Sequence, residues 1–226
     1  MKKKNICLLL LSAAISLNAT AGMITNGDFQ TCDLTGWQTD SFSVGSPGYD
    51  TDFVVANDAG DCSAQVSIDY FDTQEFFVNT LFTDLDLTAS EGMGLQLSFD
   101  WSFLGEEQGW DPLGRDYWFA ALGDGSGLYY GADGEFGQLL EGFDYDSQSF
   151  NVDLDSSFYN TAGWTLEFQL LAGFDVNFLG STLQIDNVQL NSYKLPVEQV
   201  PEPSTIAIFI LGSLGLLTRK TISKKM

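Results

Sequence analysis

The sequence predicts an all-β fold, an antiparallel β-sandwich of the jelly-roll kind, on three observations. Apolar and polar residues alternate in several separate segments, glycine clusters punctuate them, and no convincing helical period occurs before Pro203. Alternation with one polar side suits an antiparallel sheet with one wet face, and many short strands divided by turns pack as two sheets. A β-helix would need a fixed-period repeat, and none is visible.

Taken in order, the chain opens with Lys2, Lys3 and Lys4, an apolar run from Ile6 to Leu17, and Ala19-Thr20-Ala21. That is the pattern of an export signal, so residues 1–21 are expected to be removed and the mature protein to begin near Gly22. Residues 22–195 are expected to form the sandwich. Ala64, Val66, Ile68 and Tyr70 interleave with Ser63, Gln65, Ser67 and Asp69; Leu95, Leu97, Phe99, Trp101 and Phe103 interleave with Gln96, Ser98, Asp100 and Ser102. Phe150, Val152 and Leu154 alternate with Asn151 and Asp153, and Leu166, Phe168 and Leu170 with Thr165, Glu167 and Gln169. "GDGSG" at 123–127 and "GADGEFG" at 131–137 supply turns. In "STLQIDNVQL" the apolar positions are Leu183 and Ile185, then Val188 and Leu190. The inward face shifts by one residue at Asp186-Asn187, which predicts a β-bulge that re-aims Asp186 toward "ITNGDFQTCDLTGW" at 24–37.

Charge narrows the function. Between Asp28 and Glu202 stand all 31 acidic residues, against Arg115 and Lys194 alone, a formal charge of -29. Such a surface repels phosphate backbones and excludes nucleic-acid binding, while it attracts divalent cations or simply keeps the protein soluble. Cys7 leaves with the export signal, so the mature chain keeps Cys32 and Cys62. In an oxidising compartment an even pair is most simply a disulfide; two buried free thiols are the other reading.

The 226 residues contain no histidine, which removes Ser-His-Asp triads, HExxH zinc sites and histidine proton shuttles. Carboxylate pairs are the remaining route to catalysis, with Glu106 and Glu107 in "GEEQGWDPLGRD" the candidates, although adjacency is expected by chance among so many acids. Same-face pairs such as Asp84/Asp86, Asp144/Asp146 and Asp153/Asp155 must be solvated or share a cation. Aromatic rings stack on sugar faces while amides and carboxylates hold hydroxyls, which makes Trp110, Trp118 and Tyr129 the candidate glycan contacts, against ordinary packing.

The end of the chain reads "VPEPSTIAIFILGSLGLLTRKTISKKM". After the linker 196–200, Pro201 and Pro203 fix an extended entry to the apolar run Ile206–Leu217. As a helix those residues would span about 18 Å against a hydrocarbon core of about 30 Å, a marginal anchor. The basic residues behind it would stay in the cytoplasm. Pro201-Glu202-Pro203, a short apolar helix and a basic end resemble the PEP-CTERM sorting signal of Gram-negative bacteria over residues 201–226. The resemblance implies transient anchoring in the inner membrane, cleavage near Pro201-Glu202-Pro203 by an exosortase, and delivery to the cell surface or an exopolysaccharide matrix.

"NGDF" followed by "GW", with a closing "IDNVQL", also resembles carbohydrate-binding-module-like jelly rolls. In several of these a structural calcium is held by the first segment and the final-strand acid. Asp186 and the Asp28 carbonyl match that pattern, but Gln30 stands where those modules usually have Glu, so a neutral amide replaces a bidentate carboxylate. A calcium site built on Asp28, Gln30 and Asp186 and a simple cap at the bulge are equal readings. The expected function is a non-enzymatic surface protein that associates with exopolysaccharide. The alternatives are a carboxylate-dependent polysaccharide-active enzyme and a coat component assembled by cations.

Overall fold

The computed structural model describes residues 24–43, 52–68, 77–105, 116–142, 146–173 and 180–196. Residues 1–21, expected to be an export signal, Glu106, Glu107, Trp110, Asp144, and Pro201, Glu202 and Pro203, expected to be a sorting motif, lie outside them. The chain divides into two compact units, Met1–Tyr193 and Lys194–Met226, and the core of the sandwich belongs to the first. Among the described residues no helix is long and apolar enough to cross a membrane.

The strands are β1 (Gln38–Ser43), β2 (Phe53–Asp58), β3 (Asp61–Ile68), β4 (Phe77–Asp84), β5 (Met93–Gly105) and β6 (Tyr117–Gly123). They continue as β7 (Tyr129–Tyr130), β8 (Leu140–Gly142), β9 (Asp146–Asp153), β10 (Thr165–Leu171) and β11 (Ser181–Lys194). One sheet has the order β1-β4-β10-β6-β7, with β8 also on β6, and the other β2-β3-β11-β5-β9. With β1 and β2 set aside as added edges, β3-β11-β5-β9 packs on β4-β10-β6-β7/β8 and the chain passes repeatedly between the sheets. That order is a jelly roll.

Period two decides what lies between the sheets. Ala64, Val66 and Ile68 of β3, Leu95, Leu97 and Phe99 of β5, Leu166, Phe168 and Leu170 of β10, and Leu183 and Ile185 of β11 are all buried in one cluster. Each Val, Leu, Ile or Phe among them contributes about 1.5–3 kcal/mol of transfer free energy. Phe99 meets Phe168 edge-on across the sheets at 5.0 Å, and Trp37 reaches the same ring at 6.1 Å. The alternation expected on β3, β5, β9, β10 and β11 is therefore present.

The slip in β11 is also present. Burial alternates through Ser181, Leu183 and Ile185, then resumes at Val188 and Leu190, and Asn187 between them has φ 51°, in the left-handed region. Val188 N–H donates to the Gly27 carbonyl at 2.8 Å, so the first described segment joins the last strand just beyond the bulge. A Cβ on Gly27 would lie 2.1 Å from the Val188 carbonyl oxygen, so no other residue allows this approach. Cys32 and Cys62 form a disulfide with Cα atoms 5.4 Å apart, which ties that segment to β3.

Many of the acids serve turns. Asp33 accepts from Thr31 Oγ1 at 2.7 Å and Thr35 N–H at 3.0 Å, and Asp86, Asp124 and Asp155 accept likewise from Thr88, Ser126 and Ser157. These bonds hold all four carboxyls below the usual Asp range, chiefly through the Thr31, Thr88 and Ser126 side chains and the Ser157 backbone N–H. Two of the same-face pairs are accounted for in this way: Asp86 and Asp155 cap turns, and Asp153 accepts from Gln96 Nε2 at 2.8 Å, while Asp144 of the third pair lies outside the described residues.

Candidate functional site

Because Leu166, Phe168 and Leu170 point into the core, Glu167, Gln169 and Leu171 face outward from β10. Antiparallel register then fixes their neighbours. Glu167 lies between Phe82 and Ala121, Gln169 between Thr80 and Phe119, and Leu171 between Val78 and Tyr117. Beyond β6, Glu141 stands opposite Phe119 and Tyr129 opposite Gly123. Beyond β4, Gln38, Asp40 and Phe42 of β1 stand opposite Phe82, Thr80 and Val78. The outer face of this sheet thus interleaves aromatic rings with amides and carboxylates.

Its centre is a second apolar cluster of Val78, Phe119, Ala121 and Leu171, with Tyr117 and Tyr129 half-buried at its margin. Tyr129 meets Phe119 edge-on at 5.5 Å. Gln169 Nε2 donates to the Tyr129 hydroxyl at 2.7 Å and to Glu167 Oε2 at 2.9 Å, and Thr165 Oγ1 donates to Glu167 Oε1 at 2.9 Å. A Cβ at Gly123 would fall 2.1 Å from Glu167 Oε1, so the carboxylate fills the room that this glycine leaves beside Tyr129. Burial, and then the Glu141 charge, raise the Tyr117 phenol above its ordinary range, which keeps it a neutral donor.

Of the aromatic residues singled out in the sequence, Tyr129 is on this face and Trp110 lies outside the described residues. Trp118 requires a correction. It points the other way, wholly buried, with its ring 4.6 Å from Trp101 and its Nε1–H without a hydrogen-bond partner against Gly142. The outward neighbours of Trp118 are Tyr117 and Phe119.

The outer face of the other sheet is wet. Asp100, Ser102, Ser147, Ser149, Gln184 and Asp186, together with Trp101 and Gln148, line an open cavity of about 650 Å³. Asn187 Nδ2 donates to Asp100 Oδ2 at 2.9 Å and lies 3.4 Å from Asp186 Oδ2, bridging the two carboxylates. Burial first, then the charges of Asp61, Asp100 and Asp28, raise the Asp186 carboxyl above its usual value, against a lowering bond from Asn187 N–H. A carboxyl so raised binds more protons folded than unfolded, so its share of stability is lost as pH rises from about 4. Asp186→Asn should raise the melting temperature at pH 7 by about a degree and leave it unchanged below pH ~4, as scanning calorimetry would show.

The residues proposed for calcium are near one another but are not arranged as a cage. Gln30 Nε2 donates to the Asp28 carbonyl at 3.2 Å and to Asp61 Oδ1 at 3.0 Å, so an amide nitrogen sits between two oxygens that a cation would take. Asp186 Oδ1 is engaged by Asn187 N–H at 2.7 Å, and no group of three acidic, Cys or His side chains converges on a metal position among the described residues. As placed, Gln30 turns its amide nitrogen, not its oxygen, to the position a calcium ion would need. Gln30→Glu would remove the donor and set a fourth carboxylate beside Asp28, Asp61 and Asp186. That variant should melt below the parent without calcium and recover in it, by about 2.7 kcal/mol at one hundred times its Kd, while the parent should not respond.

Strand order and site together define a jelly roll with one aromatic-and-amide face and one wet face. No protein-family model and no curated protein matches the chain. Among solved structures, it is similar to a carbohydrate-binding module described for specific mannan recognition, at 17% identity, 77% of this chain and 97% of that one, with a TM-score of 0.41. It is also similar to a Caldicellulosiruptor saccharolyticus family 27 carbohydrate-binding module solved with mannohexaose, at 14% identity, 74% and 94% coverage and a TM-score of 0.44. The enzymatically active domain of bacteriophage CBA120 tailspike protein 4 is a third, at 14% identity and a TM-score of 0.42, with 75% of this chain spanning only 21% of the tailspike chain. These are likenesses of outline, and the jelly-roll assignment rests on the strand order above.

Proposed function

We propose that this protein is exported, sorted to the cell surface or an exopolysaccharide matrix, and binds glycan there without catalysis. The observation that carries the binding is the outer face of β4, β10, β6 and β7, where half-buried Tyr129, backed by the buried Phe119 ring, lies beside Glu167, and the buried Gln169 amide holds both by hydrogen bonds. Rings of that kind contact apolar sugar faces, and pre-positioned carboxylates and amides bind hydroxyls at little further ordering cost. The carbohydrate-binding modules of similar outline are in keeping with this reading. Sorting rests on residues 201–226, with exosortase as the processing partner and the membrane a temporary one. Electrophoresis of the secreted protein through gels cast with its host's matrix polysaccharide tests the binding: retardation is expected, and unchanged mobility would overturn it. Intact mass tests the sorting, since surface-released protein that keeps residues 206–226 has not been processed.

A second reading is a carboxylate-dependent polysaccharide-active enzyme, favoured by the Asp100 and Asp186 pair in the wet cavity. Reducing-end release that disappears in Asp100→Asn and Asp186→Asn would establish it in place of the first.

A further inference from the structure

We propose that the face around Tyr129 accepts an uncharged polysaccharide strand and rejects polyuronates and sulfated glycans; this rests on the glycan-binding reading above. Gln169 Nε2 gives one hydrogen to the Tyr129 oxygen at 2.7 Å and the other to Glu167 Oε2 at 2.9 Å. With its oxygen already accepting, Tyr129 has its own hydrogen to donate outward. Glu167, held additionally by Thr165 Oγ1 at 2.9 Å, is an acceptor only. A donor and an acceptor therefore stand side by side on the same face, half-buried, next to the Phe119 ring.

A sugar hydroxyl satisfies both, because it accepts from Tyr129 and donates to Glu167. A carboxylate or sulfate satisfies only the first and repels the second. Among the described residues no cation on this face offsets that repulsion. Asp40 and Glu141 are exposed on the same face, and the one basic residue among those described, Lys194, belongs to β11 in the other sheet. A polymer with a charge on each repeat would also meet the field of the whole -29 segment. A polycation would adhere anywhere on such a surface, so only an uncharged strand reports on the face itself.

Affinity electrophoresis of the mature secreted protein decides the matter, with soluble mannan and mixed-linkage β-glucan as uncharged probes and polygalacturonate as the polyanion. Retardation by an uncharged probe is expected, unchanged between about 20 and 200 mM salt, with no retardation by polygalacturonate at either. Glu167→Gln, its fold checked by melting, should weaken the uncharged interaction about tenfold, and Gly123→Ala, which crowds the Glu167 carboxylate, should do the same. Equal or stronger retardation by polygalacturonate overturns the proposal while leaving glycan binding intact. Wild-type affinity in both variants overturns the role given to Glu167. Retardation by no polymer overturns the glycan reading itself, and this proposal with it.

Discussion

Replacing Cys32 and Cys62 together by alanine should lower the unfolding free energy by about 3–4 kcal/mol and the melting temperature by roughly 8–15 °C. The bond closes a loop with a sequence separation of 30, and the chain-entropy estimate for such a loop lies in that range. Its position adds a second consequence. The tied segment carries Phe29 and Trp37, buried 5.1 Å apart, and Trp37 Nε1–H donates to the Asn26 carbonyl at 3.2 Å. Loosening the segment should therefore expose Trp37 and red-shift its fluorescence before the sheets separate. Thiol titration of the protein without residues 1–21, in denaturant and without reductant, should find no free thiol. A double variant melting within about 2 °C of the parent would show that the Gly27–Val188 junction and Phe29 already hold the segment unaided.

What could be read from the sequence, and what could not, has a physical cause at each place. β3, β5, β9, β10 and β11 each carry polar side chains along one face, so polarity marks their phase, and the slip at Asp186-Asn187 shows the bulge from the sequence itself. β6, "YWFAALG", is apolar on both faces, because one packs in the main core and the other in the second cluster. Its phase cannot be read locally; it is set by pairing with β10, whose polar residues do alternate. From Leu171 opposite Tyr117 and Gln169 opposite Phe119, the side of Trp118 follows at once. Glu167 was visible as a polar member of β10, but its place beside Tyr129 depends on a contact 40 residues away in sequence, Gln169 to Tyr129. β1, with Phe42 alone among polar residues, carries too little pattern to be seen as a strand.

The parity of β6 yields the other large effect. Trp118→Ala should cost about 3–5 kcal/mol and lower the melting temperature by about 10 °C or more, because it empties a fully buried site against Trp101. Trp118→Phe should cost much less, about 1–2 kcal/mol. The lost contacts are partly offset by removal of an indole N–H that has no acceptor in its pocket against Gly142. Tyr129→Ala should behave in the opposite way: polysaccharide affinity lower by about tenfold or more, and melting changed by only about 2–3 °C, since the ring is half-buried at a margin. Trp118→Phe should bind as the parent does. If Trp118→Phe loses polysaccharide while Tyr129→Ala keeps it, the glycan contact lies on the other side of β6 and the register argument for this face fails. The two variants differ by a one-residue phase on adjacent strands, and a period of two turns that into the difference between holding the sheets together and meeting the ligand.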